Sequence, residues 1–436
     1  MKTFENVRGM RDFLPEDLAK KSLVEDKVRE CLYLNGYGEI ETPIIEPFGL
    51  IAAKAGDEIR HRMYVFKDLG GRRIAMRPEM TASVARLVAG KLRSEAKPLR
   101  LGYIANCFRY DNPQMGRYRE FWQAGFELFG SGLVEADAEI VIMFYDIMKK
   151  LGFKNFTVKL GNVGILHGLL QAEGVGENDQ NIVMGYLDKR RVKKALAFLG
   201  ELKVSEHCRD VIKRLVTLRG TDWMSVIAKG RTVLGNNDEA STALSNLEEI
   251  TRLSMEGGVT ATILVDLGFT RGLEYYTGMI FEVFIPDLGI ALGGGGRYDK
   301  LVELFGGEPT PAVGCSPGID RIVLAMEKES LFTRKMISPV KAFIIPVGKE
   351  PLYKALKVAA DLRSKGISTQ MEVSGRSIGS SLSYADRKGF PFAIIIGLRE
   401  IEKGSATVRD MRTKVQREIP MASVTEEIEK ISQISQ

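Results

Sequence analysis

Near residue 335 the chain changes rhythm, and no other feature limits its possible folds as strongly. Before that point, short strand-like runs such as RIAMRP, RLGYIANCFRY and FWQAGFELFG are separated by polar turns. After it, the apolar runs AFIIPV, ISTQMEV and FAIIIG alternate with helix-like stretches at 350–365 and 377–388, which stop at Gly366 and Gly389. Strands alternating with helices predict a small α/β domain over 341–436. Residues 331–340 (LFTRKMISPV) read as the linker in front of it. With 436 residues, and roughly 100–200 residues per domain, two to four domains are expected.

The first part has its own punctuation. Asp12 and Pro15 open a helix that should carry Leu23, Val24, Val28, Cys31 and Leu32 on one face, and Asn35-Gly36 ends it. YGEIETPII (37–45) reads as a strand interrupted by Pro43, which suits an edge or an interface. Residues 135–151 read as a helix. From about 170 to 255, Leu, Lys, Glu and Ala recur at helical spacing between Gly and Asn breaks, which predicts a helical insertion. Strand signals return at 260–292 and run into Gly293-Gly294-Gly295-Gly296.

Composition removes several kinds of chemistry. Lys and Arg number 62 against 56 Asp and Glu, a net charge of +6 that permits a polyanionic partner without requiring one. Cys31, Cys107, Cys208 and Cys315 form no C-x-x-C pair, so neither a disulfide framework nor a zinc knuckle is expected. His61, His167 and His207 are the only histidines, which disfavours a His-based triad or a His-rich metal site. No protein-ligated metal is expected. No apolar run approaches the ~18 residues of a membrane span. The N-terminus has no apolar signal core. A reducing cytoplasm is the expected setting, with no membrane partner.

Four clusters could carry chemistry. In Phe108-Arg109-Tyr110-Asp111 and Gly116 to Gln123, the arginines Arg109, Arg117 and Arg119 converge on a hairpin with an acid and Phe121. Arginine forks suit phosphate and an aromatic face suits a purine. A solvated hairpin with surface arginines is the plainer alternative. Arg271-Gly272-Leu273-Glu274-Tyr275-Tyr276-Thr277-Gly278 lies between two strand signals and reads either as a site or as a tight turn. Gly293 to Gly296, followed by Arg297-Tyr298-Asp299, lacks a G-K-[ST] and a G-x-G-x-x-G, so neither a P-loop nor a dinucleotide site is supported. A pocket floor on which no side chain fits is the favoured reading. Gly314 to Arg321 leads into an apolar helix, and Arg321 either faces an anion or pairs on the surface.

Together these motifs resemble the class II aminoacyl-tRNA synthetases, and among them the histidyl-tRNA synthetase family. The F-R-x-[acid] block, the G-x-x-x-G-x-x-R block ending at Arg321 and the proline-ended Gly36–Pro43 segment carry the first resemblance. R-G-L-E-Y-Y, G-G-G-R-Y-D, the opening Arg8 to Pro15 and the tail block Leu382 to Lys388 with Ile394 to Gly397 carry the second. The resemblance implies an α+β catalytic domain, an antiparallel sheet flanked by helices, over 1–170 and 256–330. It also implies a helical insertion over 171–255 and a C-terminal anticodon-binding α/β domain.

It further implies that ATP and L-histidine form histidyl-adenylate, from which the histidyl group passes to tRNA(His). Arg109 and Arg271 would be the catalytic pair at the α-phosphate. Phe121 would stack on adenine, Arg321 would hold the far phosphates, and Asp111 and Arg117 would lie beside ATP. Glu79, Thr81 and Gln123 would hold the amino group of histidine, and Glu127, Tyr275 and Tyr276 its imidazole. Mg2+ would bridge phosphates, and a homodimer would form through the proline-ended motif. Asp111 and Glu274 depart from the family's usual Glu and Asp. The tail's Arg376, Arg387, Lys388, Arg399, Lys403, Arg409, Arg412 and Lys414 read either as a tRNA-facing set or as a solvated basic face. The alternative is the catalytically inactive, synthetase-like regulatory subunit of ATP phosphoribosyltransferase.

Overall fold

The computed structural model describes residues 4–53, 56–113, 116–332 and 340–433. Most of the expected linker, 333–339, lies outside the described residues. The chain divides into two compact units, Met1–Phe332 and Thr333–Gln436.

The first unit holds twelve described strands: β1 (Gly38–Glu39), β2 (Ile45–Pro47), β3 (Val65–Lys67), β4 (Arg73–Met76), β5 (Leu99–Phe108), β6 (Glu120–Phe129), β7 (Thr157–Asn162), β8 (Arg219–Gly220), β9 (Thr262–Asp266), β10 (Met279–Ile285), β11 (Ile290–Arg297) and β12 (Ala312–Pro317). Nine of them form one sheet in the order β1-β5-β6-β12-β11-β10-β7-β9-β8. The six central strands, β5 to β7 in that order, pair antiparallel throughout. Only β1 on β5 and β9 on β7 are parallel. β2, β4 and β3 make a small separate antiparallel sheet.

The YGEIETPII segment departs from its sequence reading. It is not one strand: β1 and β2 join different sheets, each at an edge, and residues 40–44 lie in neither. Pro43 has no N–H to donate to a ladder, so the chain leaves one sheet there and enters the next.

The first helix, Pro15–Leu34, packs Val24, Val28, Cys31 and Leu32 into the core at 2% exposure or less, but Leu23 is 40% exposed. Leu23 lies one residue, about 100° of helical turn, from Val24. The inward face is centred on 24, 28 and 31, so the apolar stripe is narrower than the sequence suggested. Leu32 reaches the sheet above Gly102 of β5, where a Cβ would stand 2.7 Å from the leucine methyls.

Residues 171–255 fold mainly as helices Glu177–Asp188, Val192–Glu201, Glu206–Leu215, Trp223–Leu234 and Asp238–Glu256. Their apolar faces, among them Val183, Leu199, Ile212, Leu244 and Leu247, join the same hydrophobic cluster as Ile140 and Phe144 of helix Val134–Lys150 and Phe281 of β10. β8 adds itself to the edge of the main sheet beside β9.

The second unit has a five-stranded sheet of β13 (Ala342–Pro346), β14 (Thr369–Met371), β15 (Phe392–Ile396), β16 (Ser405–Asp410) and β17 (Gln416–Pro420), in the order β14-β13-β15-β16-β17. The first three are parallel, as strand–helix alternation requires. β16 and β17 add an antiparallel hairpin that the alternation did not contain. In β13, Ala342 and Ile344 face one apolar cluster while Phe343 and Ile345 face another. Burial on both faces explains why the four residues Ala342 to Ile345 are apolar without alternation.

Leu32→Ala should destabilise the first unit by about 2–5 kcal/mol, since it opens a cavity over Gly102. Leu23→Ala should change stability by about 0.5 kcal/mol or less. Urea melts of the two variants check the contrast.

Candidate active site

A cavity of about 600 Å³ opens in the first unit above Gly293, Gly294 and Gly295 of β11. These glycines are a strand, not a loop, and close approach is the reason for them. A Cβ on Gly294 would overlap the Arg271 guanidinium, and one on Gly293 would stand 2.8 Å from the Pro317 Cα. The floor is bare so that a charged side chain from one side and a neighbouring strand from the other can lie against it.

At one end lies a carboxylate hidden from water. Glu127, on β6, is 1% exposed. It accepts hydrogen bonds from Thr81 Oγ1 at 3.0 Å, Tyr103 OH at 3.1 Å and the Tyr298 hydroxyl. Burial pushes its pKa up to about 8, against the pull of these donors, and the nearby Glu79 adds to the rise. Cross-strand from Glu127 is Gly314 of β12, where a Cβ would overlap the carboxylate itself. The acid therefore needs both its hydroxyl donors and that glycine. Glu127 does not form the cavity wall. Thr81, Tyr103, Tyr298 and Gly314 do, and Glu127 sits directly behind them.

Glu79 lies beside this network. Its carboxylate accepts from the backbone N–H of Thr81 at 2.7 Å and of Ala82 at 3.1 Å, at the start of helix Thr81–Ala89. Burial raises its pKa, while those N–H groups and Arg109 oppose the rise. Tyr275 and Tyr276 stack edge-on at 4.9 Å, and Tyr275 lies 5.7 Å from Tyr298. Burial raises both of their pKa values, that of Tyr275 well above the ordinary phenol value. Gln123 of β6 accepts from Cys107 Sγ at 3.3 Å.

At the other end the charge is positive. Arg109, Arg117, Arg271 and Arg321 all line the cavity. Arg109 donates from Nε to the Pro78 carbonyl at 2.8 Å and lies 5.2 Å from the centre of the Phe121 ring. Arg271 donates to the Phe281 carbonyl at 2.8 Å, and Arg321 to the Ala291 carbonyl at 3.0 Å. Backbone carbonyls fix these three guanidinium groups. Among the described residues, no carboxylate forms an ion pair with any of the four. Burial, then the charges of Arg117 and Arg109, lower the pKa of Arg321. Partly buried like charges without counter-ions are costly, and an anionic ligand relieves that cost.

Eleven of the twelve residues expected at the site line this one cavity, and Glu127 stands just behind its wall. One expectation about their surroundings needs correction. Arg119 does not converge with Arg109 and Arg117: it donates to the Asp111 carbonyl at 3.2 Å and lies over Tyr110 at 3.7 Å. Asp111 is engaged by Arg62 at 3.0 Å. Arg297 carries no charge into the cavity, because Asp137 and the carbonyls of Ser131 and Leu133 hold it in the interior.

The sequence did not single out Tyr103, or Lys159 and Glu282, which pair at 3.0 Å in the cavity wall. Tyr103 pairs with Gly125 across β5 and β6, where a Cβ would overlap its ring. A tyrosine opposite a glycine is a signal only once the strand register is known. Among the described residues, no group of three His, Cys, Asp or Glu side chains is placed to hold a metal ion, and no helix is long and apolar enough to cross a membrane.

Comparison with known proteins gives the following. Residues 9–322 match the model of the histidyl-tRNA synthetase family, and 341–431 match that of an anticodon binding domain. The histidine–tRNA ligase of Methanocaldococcus jannaschii is 41% identical over 427 residues, 97% of this chain and 99% of that protein. A solved ATP phosphoribosyltransferase regulatory subunit/histidyl-tRNA synthetase from Bacillus halodurans C superposes with a TM-score of 0.75 at 28% identity, over 91% of this chain and 99% of the other. Apo histidyl-tRNA synthetase of S. aureus superposes with a TM-score of 0.71 at 27% identity, over 98% of this chain and all 100% of the other.

Burial gives Glu127 a direct effect on stability. Its folded pKa, about 8, lies above the roughly 4.3 of a free Glu. Its contribution is full below the unfolded value and is lost as pH rises through the folded one. Glu127→Gln keeps the uncharged form at every pH. Its melting temperature relative to wild type should therefore climb between pH 5 and pH 8 and level off above, as calorimetry across that range would show.

Proposed function

The chain belongs to the histidyl-tRNA synthetase family, and on that premise we propose that this cavity joins L-histidine to ATP. Its activity is that of a histidine–tRNA ligase: histidyl-adenylate and pyrophosphate form first, and the histidyl group then passes to tRNA(His). One observation carries the site reading. A single cavity has at one end four arginines that form no ion pair among the described residues, and at the other a water-shielded hydroxyl–carboxylate network.

The residue roles follow from that polarity. The histidine carboxylate attacks the α-phosphorus, a new P–O bond forms, and the bond to pyrophosphate breaks with its electron pair leaving on pyrophosphate. No protein nucleophile is required, so catalysis consists of alignment and cancellation of charge. Arg109 and Arg271, fixed by backbone carbonyls, flank the α-phosphate. Phe121 stacks on adenine, Arg321 holds the far phosphates, and Arg117 and Asp111 lie beside the nucleotide. Glu79, Thr81 and Gln123 hold the amino group. Tyr275 and Tyr276 border the imidazole, with Glu127 orienting the Tyr103 and Tyr298 hydroxyls behind it. Binding sites that hydrogen-bond their substrate reject analogues that cannot answer.

Mg2+ would accompany ATP. It binds through one or two carboxylates plus phosphates and keeps several waters. Glu282, in the wall near Arg321 and paired with Lys159 at 3.0 Å, would add at most one oxygen to a shell supplied mainly by phosphate and water. The metal's contribution there is to neutralise phosphate charge.

The partners have their own support. Ile44, Ile45, Val65 and Phe66 expose apolar surface on or beside the small β2-β4-β3 sheet, which fits a homodimer formed there. In the second unit Arg376, Lys403 and Lys414 pair with Glu372, Glu418 and Asp386. Arg387, Lys388 and Arg399 remain exposed for tRNA phosphates. Four buried free cysteines suit a reducing cytoplasm. The regulatory-subunit alternative has less support, since the ligase relative matches over 97% of the chain and the anticodon-binding region is present over 341–431.

Pyrophosphate exchange with each amino acid in turn tests the reading, and histidine alone should support it. Arg271→Ala should slow that exchange by about 10²–10³-fold, the usual loss for one transition-state charge partner. Near wild-type exchange would remove Arg271 from the chemistry.

Glu127→Gln should raise the histidine KM about 5- to 100-fold, the effect of disturbing one buried polar partner. The ATP KM should stay within about twofold. An equal rise in both would make Glu127 purely structural.

A further inference from the structure

The opening stretch Arg8 to Pro15 has no task in the reaction described so far, yet it lies against the nucleotide end of the cavity. The Arg11 guanidinium forms an ion pair with Asp320, whose side chain is only 6% exposed. The other oxygen of Asp320 accepts from the Trp122 backbone N–H at 2.7 Å. The same guanidinium lies 3.2 Å from the centre of the Tyr118 ring and 4.8 Å from that of Phe13. Two residues earlier, the Gly9 carbonyl accepts from the Arg119 N–H at 2.8 Å. Gly9 has φ +85°, and a Cβ there would stand 2.7 Å from Arg119 Cγ.

Asp320 and Tyr118 belong to the two segments that supply Arg321 and Arg117. Those segments touch each other where Arg321 Nε meets the Gly116 carbonyl at 3.4 Å. Arg11 spans both. Its Nε is buried without a hydrogen-bond partner. A buried donor left without an acceptor is costly, and it persists where another contact compels it. Here the compelling contacts are the Asp320 carboxylate and the Tyr118 ring.

Charge adds a second argument. Asp320 itself lines the cavity, next in sequence to Arg321. Without a counter-ion its carboxylate would stand at the phosphate end and repel the polyanion that end is built to hold. Arg11 cancels that charge from behind.

We propose that Arg11 is a positioning residue for ATP: by pairing with Asp320 and stacking on Tyr118, it ties together the segments bearing Arg321 and Arg117 and neutralises a carboxylate in the phosphate wall. The proposal rests on the reading of this end as the nucleotide site. Arg11 touches no substrate. It acts through Asp320 and Tyr118.

The test uses the full-length chain and three variants, Arg11→Ala, Arg11→Lys and the double variant Arg11→Ala/Asp320→Asn. In histidine-dependent pyrophosphate exchange, Arg11→Ala should raise the ATP KM roughly tenfold or more and leave the histidine KM within about twofold, a loss of one charge-assisted contact. Arg11→Lys keeps the charge and should recover part of the loss. The double variant removes the carboxylate left without its counter-ion while its amide oxygen still accepts from Trp122, so it should bind ATP better than Arg11→Ala alone. A merely structural role would make the double variant worse, and that result overturns the proposal. So does a parallel rise in both KM values, or none in either. Calorimetric titration of the same variants with ATP reads the effect without turnover. Absence of histidine-dependent exchange in the wild type would overturn the site reading, while an ATP affinity unchanged by Arg11→Ala would overturn only this inference.

Discussion

One buried carboxylate governs how the catalytic unit is put together. Glu127 sits in the middle of the antiparallel sheet and receives hydroxyl donors from helix Thr81–Ala89, from β5 and from the residue that follows β11. No single element could satisfy it. A carboxyl group out of reach of water must be either neutral or well supplied with donors, and here both hold in part: its pKa rises to about 8 while three hydroxyls point at it. Moving any of the three elements by a residue would strand the acid. The register of β6 against β12 is fixed in the same way, because only Gly314 leaves room for the carboxylate. Sheet register, glycine placement and hydroxyl placement are thus one constraint.

The opposite end of the cavity is built from the reverse condition. There, among the described residues, no carboxylate forms an ion pair with the four guanidinium groups, and backbone carbonyls hold three of them in position. Carbonyl acceptors orient a guanidinium without cancelling its charge. That arrangement is costly in the empty protein and useful when a polyanion arrives, since the groups need little reorganisation. The glycine floor of β11 joins the two ends. It gives Arg271 its place and keeps the surface between the Glu127 end and the arginine end free of side chains.

Sequence and structure agree most closely where chemistry and local pattern coincide. The ten-residue strands β5 and β6, the helix Val134–Lys150 and the strand–helix alternation of the second unit follow from periodicity alone. Phe121, Gln123 and Glu127 fall on one face of β6 because alternate residues of a strand must. Where the reading failed, the missing information was non-local. Leu23 looks like a core residue until the face that its helix turns inward is known. YGEIETPII looks like one strand until two sheets compete for its ends. Arg119 looks like a third phosphate ligand until Tyr110 and the Asp111 carbonyl claim it.

By itself the sequence indicated the change of fold near residue 335, the family and a set of candidate residues that the structure gathers at one cavity, because motifs of several adjacent residues survive without knowledge of what packs on them. Only the tertiary structure decided which of those residues share a surface and in what state. Tyr103 and Gly125, Gly314 and Glu127, and Arg11 and Asp320 are separated in sequence by 22, 187 and 309 positions. Their partnership depends on strand register and on the docking of the N-terminal segment. Contacts of that kind are made by distant parts of the chain under a common packing constraint, and no window of sequence contains both sides of them.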